Sequence, residues 1–305
     1  MGNYIKLFET HSAYNTYITG GDAILPNVSY CEDQNEVHYN PWVETRVVAK
    51  FNVTDTSTEI PIANYMGGPT STTDGIDEIE IDGVVQPTTK NTYLFGTTGE
   101  HTVKYTLSNP TTIVNYGFEG CSDMVNITIP NTVTTIGDSA LAGCKGLTEI
   151  LIPSSVTSIG KYLFSSSFNL TSISVENGNP VYDSRNNCNA IIETSTNTLI
   201  RGCSNSTIPD GVTSIAESAF NSCGSGLTSV TIPSSVTSIS SMAFSYCSGL
   251  ASVTIEATIP PTLIGYSIFT NNASGRKFYV PAESVNTYKA ASGWSDYAAD
   301  IEAIQ

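Results

Sequence analysis

In the second half of the chain, apolar and polar residues recur in a fixed order. Within "LTEILIPSSVTSIG" (147–160), Leu147, Ile150 and Ile152 are separated by residues such as Thr148 and Glu149. That alternation predicts a short strand with one buried face. Pro153 closes the strand because it has no N–H to donate to a ladder. Val156 and Ile159 then supply a second apolar wall. The pattern returns in "LTSVTIPSSVTSIS" (227–240), which is identical at ten of fourteen positions. Each unit opens on a large apolar residue: Phe118, Leu141, Phe164, Phe220, Phe244 and Phe269. The spacings are 23, 23, 24 and 25 residues outside one interruption. One such unit cannot bury its own wall but a stack can, so residues 110–280 are expected to form a solenoid.

The interruption, 176–207, holds "NAIIE" and "TLIRG" on either side of the polar "TSTN", which signals a hairpin. If the hairpin is centred between Ser195 and Thr196, Cys188 and Cys203 face each other and a disulfide is geometrically allowed. Residues 43–109 are β-rich segments cut by turn residues. Asp82-Gly83 marks one tight hairpin and Gly96–Gly99 is expected to turn another. A small antiparallel, immunoglobulin-like sandwich is the expected architecture there. Residues 1–42 read as a leader, with a short helix over 10–18 presenting Tyr14, Tyr17 and Ile18. A hairpin should follow in "PNVSYCEDQNEVHYNP", carrying Tyr30 and Tyr39. Residues 281–305 read as a helical cap with Trp294 covering the last repeat. The fold class expected is mainly β: a sandwich, then a repeat solenoid with a small helical C-terminal cap.

The carrying residues, Phe-x-x-Cys-x-x-Leu-x-x-Val-x-Ile-Pro-x-x-Val-x-x-Ile as at Phe220–Ile239 (with one extra residue before Leu227), occur together with the "NCNAIIE…LIRGC…TIP" insertion. In combination they resemble the BspA-like leucine-rich-repeat family of gut and oral bacteria. The resemblance implies a solenoid with an adhesive or host-surface role and implies no catalytic residues. The leader resembles the N-termini of proteins from gut bacteria and their bacteriophages, including virion structural proteins.

Composition narrows the partners. There are 12 Lys and Arg against 28 Asp and Glu, a net charge of −16. With no cationic cluster, nucleic acid and anionic membrane surfaces are poor partners, and neither nucleic-acid binding nor membrane insertion is expected. No apolar stretch approaches a membrane span, and the start "MGNYIKLFETHSAYN" has no secretory apolar core. Cys121, Cys144, Cys223 and Cys247 share the slot three residues after the unit opener, where Ser167 stands in the third unit. Their expected role is to fill a tight corner as buried thiols, because no CxxC pair and no repeat-region histidine points to a metal. The acidic "DGIDEIEID" (74–82) fails the calcium-loop count at Thr89 and reads as a solvated strand face. His11, His38 and His101 belong to no catalytic motif. No cofactor, metal or catalytic residue is expected.

The outward strand positions Asn126/Thr128, Glu149/Leu151, Ser172/Ser174, Ser229/Thr231 and Ser252/Thr254 form a hydroxyl-rich stripe without Trp, Tyr or Arg. Such a stripe lacks the residues that anchor tight interfaces. Candidate anchors are therefore Tyr182 with the insertion, Tyr246, and the leader tyrosines Tyr14, Tyr17, Tyr30 and Tyr39. The expected function is non-enzymatic adhesion to a protein or glycan of a host surface. The setting expected is a bacteriophage virion, with the leader joining other virion proteins. The alternatives are a bacterial cell-surface adhesin and a purely structural virion component, and homo-oligomerisation is compatible with each.

Overall fold

The computed structural model describes residues 45–63, 75–86 and 90–305, together with the backbone of the strands Ile5–Lys6, Val28–Cys31 and Glu36–Tyr39. The chain divides into two compact units, residues 1–45 and 46–305. In the first, Val28–Cys31 pairs antiparallel with Glu36–Tyr39, whose other edge takes Ile5–Lys6. Tyr30 and Tyr39 lie on these strands. The helix expected over 10–18, with Tyr14 and Tyr17, lies outside the described residues.

The second unit opens with a five-stranded antiparallel sheet in the order 124–128, 47–53, 99–107, 76–81, 84–85. Val47, Ala49, Phe51 and Val53 alternate inward with polar residues outward, so one face is core. Asp82 and Gly83 both adopt positive φ, 49° and 84°, the turn that joins Ile81 to its partner Val84. Two expectations change here. Thr92–Tyr93 pairs with Ile60–Pro61, so the segments flanking Gly96–Gly99 are not each other's partners. Among the described residues, the sheet also does not form an immunoglobulin-like sandwich. Val47–Val53, which would otherwise be its edge, pairs with Met124–Thr128, the first long strand of the repeats. The physical reason is that an open edge of N–H and C=O groups needs a partner, and the adjacent repeat strand supplies one. The Tyr105 ring meets Phe118 edge-on at 5.0 Å, so the repeat core continues into the sheet.

The repeats stack as parallel coils. Glu149–Ile152 pairs with Ser172–Val175, and Ser229–Ile232 is followed by 252–255, 277–280 and 301–303. A second ladder of short strands, two residues long except for 198–202, runs through 112–113, 135–136 and 158–159, and again through 198–202, 214–215, 238–239 and 262–263. The openers Phe118, Leu141, Phe164, Phe220, Phe244 and Phe269 are all buried. Phe220, Phe244 and Phe269 stack nearly face to face at 5.0 and 5.3 Å.

A third ladder surrounds the openers. The N–H groups of Tyr116, Phe118 and Gly120 donate to Asp138, Ala140 and Ala142 of the next coil. Those of Ser139, Leu141 and Gly143 donate onward to Lys161, Leu163 and Ser165. The same three positions repeat at Ser218/Phe220/Ser222 and Met242/Phe244/Tyr246. Aiming these donors the same way requires left-handed backbone on each side of the opener, as at Tyr116 (φ 62°), Ser139 (52°), Ser222 (62°) and Tyr246 (59°). Non-glycine residues adopt that conformation at a cost, which inter-coil bonding offsets.

The insertion replaces one return wall. Tyr182–Asp183, Ala190–Glu193 and Thr198–Gly202 form an antiparallel meander whose last strand joins the parallel ladder at Ser214–Ile215. Ile191 and Ile192 point to opposite faces and are both fully buried, which explains the uninterrupted apolar "AII". At the end of the stack, Trp294 donates to the Pro261 carbonyl at 2.7 Å and Tyr288 to Ala257 at 2.8 Å. Their rings, with Phe278 and Tyr297, cover Phe269.

Candidate ligand-binding surface

The shared cysteine slot is more than a filled corner. Cys144 donates its thiol to the Phe118 carbonyl at 3.2 Å, Cys247 to Phe220 at 3.1 Å, and Ser167 its hydroxyl to Leu141 at 2.9 Å. At Cys144, Ser167 and Cys247 the slot holds a small donor aimed at the previous opener, a role that thiol and hydroxyl both fill. Within the insertion Ser206 takes this role, accepting from the Cys203 N–H and donating to the Asn189 carbonyl. Cys121, Cys144, Cys223 and Cys247 are free and buried. Burial pushes the Cys121 and Cys144 thiols above their usual range, which suits neither nucleophile nor metal ligand. Among the described residues no group of three or more His, Cys, Asp or Glu could hold a metal ion.

Cys188 and Cys203 are also free thiols. The pairing Glu193↔Thr198 and Ile192↔Leu199 follows the expected centre, but a bulge then shifts the register to Ile191↔Arg201 and Ala190↔Gly202. Cys203 is thereby carried opposite Asn189, to whose carbonyl its thiol points at 3.5 Å. Cys188 points instead at Ala190. One extra residue removes the disulfide geometry.

Tyr182 is likewise not an exposed anchor: it is buried on the return wall. The neighbouring Asn179 is fully committed as well. Its amide donates to the Pro153 and Val156 carbonyls and its oxygen accepts from the Val181 and Tyr182 N–H groups. What the insertion does present is a polar depression of about 420 Å³ between Ile173–Val175 and residues 183–194. Arg185 is fixed at its wall by two bonds to Asp183, 2.8 and 2.6 Å, and one to Asn197 at 2.8 Å. Burial opposes the Asp183 charge, but bonding to Arg185 outweighs it and holds the carboxyl below its usual range. Asn186, Asn187 and Asn189, all in left-handed backbone at φ 58°, 53° and 52°, place a row of side-chain amides along this rim. Amide donors and acceptors beside the held Arg185 suit a hydroxyl-rich or peptide ligand.

Other surfaces are less built. The outward stripe forms a hollow of about 280 Å³ around Asn126, Glu149, Leu151 and Ser174. A hollow of about 570 Å³ lies by Glu119, Lys145 and Tyr162. Burial raises the pKa of the Glu119 carboxyl there, and among the described residues no second carboxylate lines the hollow to form a hydrolytic pair with it. Tyr246 is 55% exposed and Tyr266 67% exposed on the corner ladder.

The sequence profile described as "BspA type Leucine rich repeat region" matches six copies, over residues 91–199 and 191–292. Among solved structures, a leucine rich cell surface protein from Faecalibacterium prausnitzii is 26% identical, with a TM-score of 0.45. The match covers 64% of this chain and 57% of that one. A leucine-rich repeat protein from Eubacterium ventriosum is 24% identical over 58% of this chain and 62% of its own, with a TM-score of 0.38. The pneumococcal vaccine antigen PcpA is 15% identical over 61% and 62%, also at 0.38. The chain thus spans less than two thirds of the length of each of these relatives. Among curated proteins, none matches.

Proposed function

Because the chain belongs to the BspA-type leucine-rich-repeat family, we propose that it is a non-enzymatic surface-binding protein whose insertion depression contacts the ligand. The observation carrying this reading is Arg185. The insertion leaves the repeat period, and what it builds is an arginine clamped by Asp183 and Asn197 beside a rim of asparagines. A structural insertion would need no such fixed polar wall. The ligand class it fits is a glycan or an extended polar peptide of a host surface. No catalytic family is among the matches.

The cell surface is the setting carried forward, supported by the printed description of the Faecalibacterium relative. The virion setting rests on the leader alone, and no phage protein is among the matched relatives described above. The test is binding of the full chain to host cells, before and after periodate or protease treatment of the cells. Arg185→Ala and Asn187→Ala should each weaken binding at least tenfold, while Tyr246→Ala should not. Unchanged binding by both depression variants would remove the assignment.

A further inference from the structure

The corner ladder breaks once inside the solenoid. At Tyr162, Phe164 and Ser166 the N–H groups, whose counterparts in neighbouring coils donate forward, make no hydrogen bond to a described residue. The coil that should receive them belongs to the insertion, which has no full corner. Gly202, whose N–H donates to Ala219, takes the opener's place there. Arg201 reaches into this gap, 6% exposed, and bridges coils that are not neighbours in sequence. Its guanidinium donates to Gly160 at 3.2 Å, to Glu217 at 3.1 Å and to Ile200 at 2.5 Å, all backbone carbonyls. Its Nε–H is buried without a partner, as is the Ser218 hydroxyl. Both residues line a cavity of about 20 Å³, with Phe164 and Ser222 on its walls.

A buried guanidinium normally faces a carboxylate. The Glu217 carboxylate instead binds Lys161 and Tyr162, each at 3.1 Å, and makes no hydrogen bond to Arg201. The cavity is therefore lined by a fixed cation, through its unpartnered Nε–H, and by the unpartnered Ser218 hydroxyl. A monatomic anion accepts from the Arg201 Nε–H and the Ser218 hydroxyl and lies directly against the buried guanidinium. The volume admits one particle of about water or halide size and excludes phosphate, sulfate and carboxylates.

We propose that the break between the Phe164 and Phe220 coils is a structural binding site for a single chloride-sized anion, held by Arg201 Nε and the Ser218 hydroxyl. The site is independent of the surface depression. The test uses the full chain at constant ionic strength, with chloride or bromide replacing gluconate, which is too large to enter. The expected result is a saturable rise of the melting temperature with either halide. In crystals grown with bromide, an anomalous peak should lie within hydrogen-bonding reach of Arg201 Nε. Arg201→Met, if it folds, should lose the halide dependence. The wild-type measurements decide the matter without it. Equal melting temperatures in chloride and gluconate, or a bromide-grown crystal with no peak at Arg201, would overturn the proposal and leave the cavity to water.

Discussion

Gly202 occupies the position where other coils place Phe or Leu, and a methyl group there should expose how tightly the phenylalanine stack is set. A Cβ at Gly202 would lie 2.3 Å from Cε1 of Phe220 and 2.8 Å from Cδ1 and Cζ. The ring would have to retreat by about 1 Å to reach ordinary contact. It cannot do so alone, because it lies 5.0 Å from Phe244 at an interplanar angle of 9°, and Phe244 stacks in turn on Phe269. Overpacking of this kind costs about 1–3 kcal/mol. Phe220→Ala should cost about 3–5 kcal/mol through the cavity it leaves. In the double variant the clash has no ring to meet, so the cost of Gly202→Ala should vanish, giving a coupling as large as that cost. Gly96→Ala is the control: its Cβ meets nothing within 4 Å, and its effect should stay within about 0.5 kcal/mol. Urea unfolding followed by circular dichroism, with comparable slopes across variants, supplies the four free energies. Additive effects of Gly202→Ala and Phe220→Ala would refute the reasoning, as would a neutral Gly202→Ala.

Three further outcomes are expected. Cys144→Ser should retain stability, since Ser167 already serves as the donor in the equivalent slot, whereas Cys144→Ala should lose about 1 kcal/mol in the same assay. Cys188 and Cys203 should both be alkylated after denaturation without reductant, and a linked peptide in the mass spectrum would contradict the bulged register. The third concerns pH. Burial opposes a charged His101, but its bonds to Asp82 (2.6 Å) and the Thr97 carbonyl (2.9 Å) outweigh this and raise its pKa from 6.5. Burial likewise opposes the Asp82 charge, while His101 and the Thr102 N–H more than compensate and lower its pKa from 3.8. His101 therefore stabilises fully below 6.5, and its contribution is lost as pH rises through the raised folded value; that of Asp82 is lost as pH falls below 3.8. The melting temperature should fall from about pH 6 to 8 and His101→Gln should flatten that fall; an equally steep fall in the variant would exclude the pair as its source.

Periodicity carried the repeats: the openers, the alternating strands and the proline stops are local patterns, and each could be located from residue order because each coil repeats the same burial problem. Asp82-Gly83 was legible for a similar reason, since two positive φ values demand those residue types. Partnership between distant segments is not local, and there only the tertiary structure decided. Nothing in "TRVVAKFNV" states that its free edge will be taken by Met124–Thr128, so an independent sandwich seemed required. Nor does "TLIRG" announce a bulge, yet that one residue separates Cys188 from Cys203 and sends Arg201 into the break between coils. Tyr182 looked like an exposed anchor because its insertion departs from the repeat, but the meander folds it back onto the return wall. Arg185, one turn later, was left to form the polar wall through Asp183 and Asn197. Residue order determines which side chains must be buried; which neighbours bury them depends on backbone donors and acceptors being satisfied across the whole stack.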